Sequence, residues 1–110
     1  MSNSPIVITM GDPSGVGAEV TVKAIASLPA AARAGYAVIG DADTLNRAVT
    51  ATGVDLTLGD APGGLRVIHV PVDGLPGRFG VLSEACGEAC FRYIDKAVQM
   101  TTGGEAAGIV

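Results

Sequence analysis

The sequence predicts an α/β fold, a three-layer α/β/α arrangement around a mostly parallel β-sheet. Three observations indicate this class. Short apolar runs without polar alternation, such as residues 6–9, are typical of strands that are covered on both faces. Segments with helical spacing alternate with these runs, as in βαβ units. Loops rich in glycine and proline separate the segments, and 110 residues suffice for one domain.

The first two strands and helices follow in order. Residues 6–9 are predicted to form a strand and residues 15–28 a helix, which Pro29 ends. Residues 30–35 form a short connection or a single helical turn, and residues 36–40 the second strand. The apolar side of the first helix is predicted from residues spaced by four. These are Val16, Val20, Ala24 and Leu28, with Ile25 beside them.

A second helix is predicted after the second strand, from the helical spacing of Leu45, Ala48, Val49 and Thr52. Asp41 or Asp43 can cap its start, and Gly53 stands where a helix-ending glycine belongs. Asp41 has a second interpretation, because an acidic residue at the end of a second strand binds ribose hydroxyls in dinucleotide folds. Capping explains Asp41 without a ligand.

The next part of the chain carries weaker patterns. Residues 54–58 are predicted as a third strand, and residues 59–64 as a plain loop. Residues 66–70 form another strand, which Pro71 ends. Residues 72–80 contain three glycines and are predicted as a surface loop, either a connector or a cover over a site.

The last helix has the clearest pattern. Ser83 starts it, Glu84 suits its N-terminal end, and the glycines at 103 and 104 end it. Residues 106–110 then begin a further buried strand. An apolar stripe at i, i+3, i+4 and i+7 defines the buried face of the helix. The stripe comprises Cys86, Ala89, Cys90, Tyr93, Ile94, Ala97 and Val98.

The cysteines and the single histidine are predicted to be structural. Cys86 and Cys90 lie four residues apart on one helix face, where their Cβ atoms are not oriented for an unstrained disulfide. No histidine is near them in sequence, so we expect no metal site and two small buried hydrophobes. His69 lies mid-strand and is predicted to be structural or solvated.

The net charge and the distribution of basic residues indicate which classes of partner the protein can bind. The net charge is −4, and the seven basic residues do not cluster. Nucleic acids and anionic membranes require basic patches, so neither is expected as a partner. A phosphorylated small molecule is compatible, since one phosphate needs only local donors. No apolar run has the length of a membrane span, and no signal peptide precedes the first strand, so we expect a cytoplasmic protein.

The densest motif is TMGDPSGVGAE at residues 9–19, between the first strand and the first helix. Its glycines permit positive φ angles and close approach of a ligand, and a helix N-terminus just beyond attracts anions. A βα turn without a ligand explains the same spacing. The glycines match neither the dinucleotide fingerprint nor the P-loop, so spacing alone does not name a ligand.

Residues 8–19 resemble the N-terminal signature of the 4-hydroxythreonine-4-phosphate dehydrogenase (PdxA) family, roughly I-T-x-G-[DE]-P-[AS]-G-[IV]-G-P-[ED]. The sequence departs from this pattern at Ala18, where the family usually has proline. The likeness extends from Ile6 to Val110. Two later stretches also resemble the family: residues 38–41 with Leu45, and residues 80–83 with Gly87, Ile94 and Ala97.

This resemblance implies that residues 1–110 form an incomplete N-terminal segment of a larger two-domain fold, like that of isocitrate and isopropylmalate dehydrogenases. The implied activity is oxidation, with decarboxylation, of a phosphorylated hydroxy acid by NAD or NADP. The substrate would be 4-hydroxythreonine-4-phosphate, as in vitamin B6 biosynthesis, or a threonate or erythronate phosphate. The family also implies a homodimer and a divalent metal such as Zn, Mg or Co, bound by histidines beyond this segment.

The resemblance gives Gly11, Asp12, Pro13, Gly15 and Gly17 as cofactor-binding candidates, near the cofactor or at the cleft between domains. Asp12 can instead hold the loop by accepting backbone N–H bonds. No residue of the segment is assigned a catalytic or metal-binding role, and the segment alone is expected to be inactive. The alternative function is a small stand-alone binding module, receiver-like and without catalysis.

Overall fold

The computed structural model describes residues 4–81 and 83–110. Four parallel strands form one sheet in the order β3-β2-β1-β4. The strands are β1 (Ile6–Thr9), β2 (Tyr36–Gly40), β3 (Arg66–His69) and β4 (Gly108–Ile109). The helices are α1 (Gly17–Ala26), α2 (Ala42–Thr52) and α3 (Glu84–Thr102), and a 3₁₀ helix spans Ala30–Gly35.

The helices cover both faces of the sheet. The chain steps from β1 to β2 to β3 in one direction, and β4 then pairs with the opposite edge of β1. Right-handed crossovers therefore place α1 and α2 on one face and α3 on the other. In agreement, α1 contacts α2, while α3 packs on β1 and β2. The predicted three-layer α/β/α class with a parallel sheet is confirmed.

The apolar face predicted for α1 was wrong. The buried residues of α1 are Ala18, Thr21, Val22 and Ile25, and of the predicted set only Ile25 is among them. Val16 and Val20 are 71% and 59% exposed. The helix also starts at Gly17 and ends at Ala26, so it is shorter than predicted at both ends. Both sides of the helix carry small apolar residues, so spacing alone could not select the side that packs.

The strand predicted at residues 54–58 does not form. Only an isolated bridge joins Leu58 to Leu65. The two backbone bonds of this bridge run from Leu65 N to the Thr57 carbonyl and from Gly59 N to the Leu65 carbonyl, so the pairing extends no further. The helical-turn alternative for residues 30–35 is confirmed as a 3₁₀ helix, and the strand predicted at 106–110 shortens to Gly108–Ile109.

The ends of α2 and α3 were predicted well. The Asp41 carboxylate accepts a hydrogen bond from Thr44 N at 2.9 Å, so Asp41 is the cap of α2. Gly53 ends α2 with φ 69°. Ser83 caps α3 by accepting from Cys86 N at 3.1 Å.

Only part of the stripe predicted for α3 is buried. Cys86, Ala89, Tyr93 and Ala97 are buried, together with Met100, which the prediction missed. Ile94 and Val98 are 55% and 49% exposed. The apolar stripe is wider than the surface that the sheet covers, so its outer edge faces outward.

The sheet order does not fit the receiver-like alternative. Flavodoxin-like and receiver-like sheets have the order 2-1-3-4-5, in which β1 lies between β2 and β3. Here β1 lies between β2 and β4. In the part of the chain described, no helix is long and apolar enough to cross a membrane.

Candidate functional site

The candidate loop leaves the sheet where the strand order reverses. β2 and β3 lie to one side of β1, and β4 lies to the other. The loop at residues 10–16 follows the carboxyl end of β1 and leads into α1. In open parallel sheets, ligands bind outside the carboxyl ends of the strands at such a switch point. The fold therefore places the predicted loop at the usual ligand position for this architecture.

Asp12 holds the loop in shape. Its Oδ1 accepts a hydrogen bond from Ser14 N at 2.8 Å, and its backbone carbonyl accepts from Gly15 N at 2.9 Å. This is the loop-holding alternative of the sequence analysis, now seen as an Asx turn. The other carboxylate oxygen has no hydrogen-bond partner among the described residues, so it is free to bind a ligand as well.

The glycines of the loop differ in what they provide. Gly11 has φ +82°, and no heavy atom lies within 4 Å of where its Cβ would stand, so it opens the loop. A Cβ on Gly17 would collide with the Met10 carbonyl oxygen. Gly15 would meet only ordinary contacts, the nearest at 3.4 Å. Pro13 is buried and contributes to the packed base of the loop.

Met10 and Gly40 form the base of the loop, a role that was predicted for neither residue. The Met10 side chain is 1% exposed. A Cβ on Gly40, at the end of β2, would lie 2.7 Å from Met10 Cβ and 2.8 Å from its sulfur. The available signal was a glycine ending a strand beside the loop, which marks a close approach of another segment.

The N-terminus of α1 suits an anionic group. Its N-cap is Val16, which makes no side-chain cap bond. The first backbone N–H groups of a helix without a cap carry partial positive charge and need outside acceptors. Glu19 in the first turn adds a negative charge there. The start of α1 therefore offers donors to an anion, while the Glu19 carboxylate opposes it.

Ser14 connects the candidate loop to the other half of the chain. Its carbonyl accepts from Gly80 N at 2.8 Å, and its hydroxyl donates to the Arg78 carbonyl at 3.4 Å. The same hydroxyl lies 3.2 Å from the Cys86 sulfur. Residues 78–80 of the predicted surface loop therefore contact the candidate loop at Ser14, whether they serve as a connector or as a cover. No local pattern could reveal it, because Ser14 and Cys86 are 72 positions apart.

The two thiols are free, and only Cys86 is fully buried. The prediction of two buried cysteines was therefore wrong for Cys90, which is half-buried. Burial first, and then electrostatic interaction with Asp12 and Cys86, raises the pKa of the Cys90 thiol. A raised pKa keeps this thiol protonated and unreactive at neutral pH.

Tyr93 is the largest fully buried side chain of the core. Its hydroxyl has no hydrogen-bond partner among the described residues. Burial raises the pKa of this phenol most, and Asp41, Cys90 and Cys86 raise it further. Tyr93 therefore stays neutral at physiological pH within the core.

His69 and Asp41 meet at the start of α2. His69 Nδ1 accepts a hydrogen bond from Ala42 N at 3.1 Å and lies 3.9 Å from Asp41 Oδ1. By accepting this hydrogen bond, His69 supports the start of α2. The structural interpretation of His69 is confirmed. Within the described residues, no three His, Cys, Asp or Glu side chains could hold a metal ion.

The sheet order and the loop after β1 define an open, parallel α/β protein with a candidate ligand site at the switch point. No family model matches the chain. It is 33% identical over 107 residues to a 4-hydroxythreonine-4-phosphate dehydrogenase of Thermosynechococcus vestitus, covering 96% of this chain and 30% of that protein. It is 39% identical over 109 residues to a D-threonate 4-phosphate dehydrogenase of Cupriavidus necator, and the match covers 88% of this chain and 32% of that protein.

Solved structures agree. The crystal structure of a 4-hydroxythreonine-4-phosphate dehydrogenase from Burkholderia phymatum superposes with a TM-score of 0.78 and 38% identity, over 96% of this chain and 35% of that one. The chain is homologous to the PdxA family of dehydrogenases. It spans about a third of the length of the curated relatives that it matches.

Proposed function

We propose that this chain is part of a dehydrogenase that oxidises a phosphorylated hydroxy acid with NAD or NADP. The observation that carries the proposal is the glycine loop at the switch point, in a chain homologous to named phosphate dehydrogenases. The substrate is 4-hydroxythreonine-4-phosphate, as in vitamin B6 synthesis, or D-threonate 4-phosphate. We also propose a cytoplasmic location and a homodimer for the complete enzyme.

The loop residues bind and orient rather than transfer protons. Gly11 leaves open space, and the α1 N-terminus has no side-chain cap, so an anionic group of the cofactor or substrate fits there. Asp12 holds the turn with one oxygen and would accept a ligand hydroxyl with the other. Pro13, Gly15 and Gly17 keep this shape. The bound nicotinamide would supply the hydride acceptor for the secondary alcohol.

A divalent metal does not fit the described residues of this chain. Among them, no group of three His, Cys, Asp or Glu side chains could hold one. The resemblance implies a Zn, Mg or Co ion that would assist decarboxylation. We therefore propose that this ion is bound by residues other than those that the structure describes. Residues 1–110 alone would then bind ligands without turnover.

The test combines binding and turnover. We expect NAD to bind this chain in a calorimetric titration, and the native protein to form NADH with 4-hydroxythreonine-4-phosphate or D-threonate 4-phosphate and a divalent metal. Asp12→Asn keeps an oxygen for the Asx turn but removes the charge, so it separates folding from binding. The Asp12→Asn variant should bind NAD about tenfold more weakly, since hydrogen bonds to charged groups are worth about 1.5–3 kcal/mol.

The matched control is Asp43→Asn, because Asp43 lies in the first turn of α2 and makes no cap bond. It should bind NAD like the unmodified chain. Equal NAD affinity for both variants would show that Asp12 serves only the turn. Absence of NAD binding together with absence of NADH formation would contradict the proposed function.

A further inference from the structure

A second cavity lies at the opposite end of the sheet, away from the switch-point loop. It has a volume of about 220 Å³. Pro5, Tyr36 and Arg66 line it, so it opens where β1, β2 and β3 begin. Arg33 and the loop at residues 59–64 form the other walls. Nothing in the proposed dehydrogenase function uses this end of the molecule.

Arg33 is fixed in the wall of the cavity, while Arg66 and Tyr36 bring donors to it that lack partners among the described residues. Arg33 donates through Nη1 to the Gly63 carbonyl at 2.9 Å and through Nη2 to the Ala26 carbonyl at 3.0 Å, while its buried Nε has no partner among the described residues. In the same described part of the chain, neither the Arg66 guanidinium nor the Tyr36 hydroxyl forms a hydrogen bond or an ion pair.

The charge balance of the cavity is positive. Two guanidinium groups face one carboxylate, that of Asp60, and no ion pair joins Asp60 to either arginine among the described residues. An oxyanion in the cavity would accept hydrogen bonds from the Arg66 guanidinium and the Tyr36 hydroxyl, which otherwise lack partners among the described residues. Arginine is also suited to phosphate, because its planar fork matches the phosphate oxygens.

The loop that walls the cavity is compact before any ligand binds. Gly64 N donates to the Ala61 carbonyl at 2.9 Å, and Gly59 N to the Leu65 carbonyl at 2.8 Å. A Cβ on Gly64 would lie 2.9–3.0 Å from three carbonyl oxygens, so the turn is closely packed. Because Arg33 is bonded to this loop, the site needs little ordering when it binds a ligand.

We propose that the cavity between Arg33, Arg66 and Tyr36 binds a phosphate group. Three donors from different elements surround it, which matches the several acceptor oxygens of a tetrahedral anion better than a flat carboxylate. The phosphate is inorganic phosphate or the terminal group of a phosphate monoester. This site is separate from the loop at residues 10–16 and does not depend on the proposed dehydrogenase activity.

The test is a calorimetric titration of the protein with inorganic phosphate, and separately with glycerol phosphate, against sodium chloride of equal ionic strength. Arg66→Gln and Tyr36→Phe should each weaken phosphate binding, Arg66→Gln by about tenfold or more. Arg92→Gln is the control, since Arg92 on α3 pairs with Glu88 and is remote from the cavity. Tighter binding of glycerol phosphate than of inorganic phosphate would identify the monoester as the source.

Backbone amide NMR locates the ion independently of the variants. Shifts at residues 59–66 on addition of phosphate are expected. Shifts confined to residues 15–18 would place the anion at the α1 N-terminus and overturn the proposal, while leaving the proposed function untouched. The proposal would also be overturned if Arg66→Gln bound phosphate as tightly as the unmodified chain. The same holds if phosphate produced no larger binding signal than chloride.

Discussion

Gly17 is required by a neighbouring backbone atom rather than by its own torsion angle, since a Cβ there would collide with the Met10 carbonyl oxygen. Gly17→Ala should therefore destabilise the protein by about 1–3 kcal/mol, the usual cost of overpacking. Denaturant unfolding measures this loss. Gly15→Ala is the control, because its Cβ would meet atoms no closer than 3.4 Å. Equal stability of the two variants would show that the loop yields at Met10.

Because of Tyr93, the stability of the folded protein should fall at alkaline pH. Its pKa is raised in the folded protein, chiefly by burial. The folded state therefore holds a proton that the unfolded state releases above about pH 10, so stability present below that pH falls as pH rises further. Tyr93→Phe should keep or increase stability at pH 7, since the hydroxyl has no partner among the described residues.

The same variant should lose less stability between neutral and alkaline pH than the unmodified chain. Thermal unfolding across this pH range measures the difference. Tyr36→Phe serves as the control, since Tyr36 is only partly buried at the start of β2. A parallel decline in stability for Tyr93→Phe and the unmodified chain would contradict the assignment to Tyr93.

Within the candidate site, the sequence predicted only contacts between residues that are close to each other along the chain. The motif at residues 9–19 marked the loop, and the Asx turn of Asp12 spans just two positions. The contacts of Ser14 with Gly80 and Cys86 were missed, because they join positions that are distant in sequence. Met10 was missed because its importance depends on Gly40, in a neighbouring strand.

Among the elements, α2 depends on its cap. Asp41 accepts from both Thr44 N and Thr44 Oγ1, at 2.9 and 2.7 Å. Asp41→Ala should cost about 0.5–2 kcal/mol of stability, as for other helix caps. The control is Asp43→Ala, which removes a first-turn carboxylate without a cap bond. If denaturant unfolding showed equal losses of stability for both variants, the loss would come from removing a negative charge near the helix start and not from the cap bond.

In α3, Gly87 weakens the helix without any packing reason. No heavy atom lies within 4 Å of its Cβ position, and the residue is exposed. Gly87→Ala should stabilise the protein by up to about 1 kcal/mol, the difference in helix propensity. Gly77→Ala is the contrasting variant, because φ +74° at Gly77 disfavours any side chain. The melting temperatures should move in opposite directions.

The ends of the helices were easier to predict than their buried faces. Ser83, Asp41 and Gly53 act through bonds to residues three or four positions away, so the sequence shows them. The faces depend on what packs against each helix. Val20 and Ile94 fit an apolar stripe, yet both are more than half exposed. Residues 54–58 have strand-like composition, but they form only an isolated bridge to Leu65 and no strand of the sheet.

For the whole molecule, the class could be predicted but the sheet order could not. Alternating strands and helices imply parallel pairing with right-handed crossovers. Periodicity within each segment contains no information about which strands are neighbours. The order β3-β2-β1-β4 distinguishes this fold from the receiver-like alternative and puts the loop of residues 10–16 at the switch point.

The place of β4 beside β1 has a consequence for how the protein folds. Thr9 N bonds to the Val110 carbonyl, 101 positions away, whereas β1 and β2 are joined by one short helical crossover. Pairings that close long loops form late. During synthesis on the ribosome, β1, β2 and β3 can assemble while one edge of β1 is still open. Until β4 pairs with it, that edge presents unpaired backbone groups, which favour association with other chains.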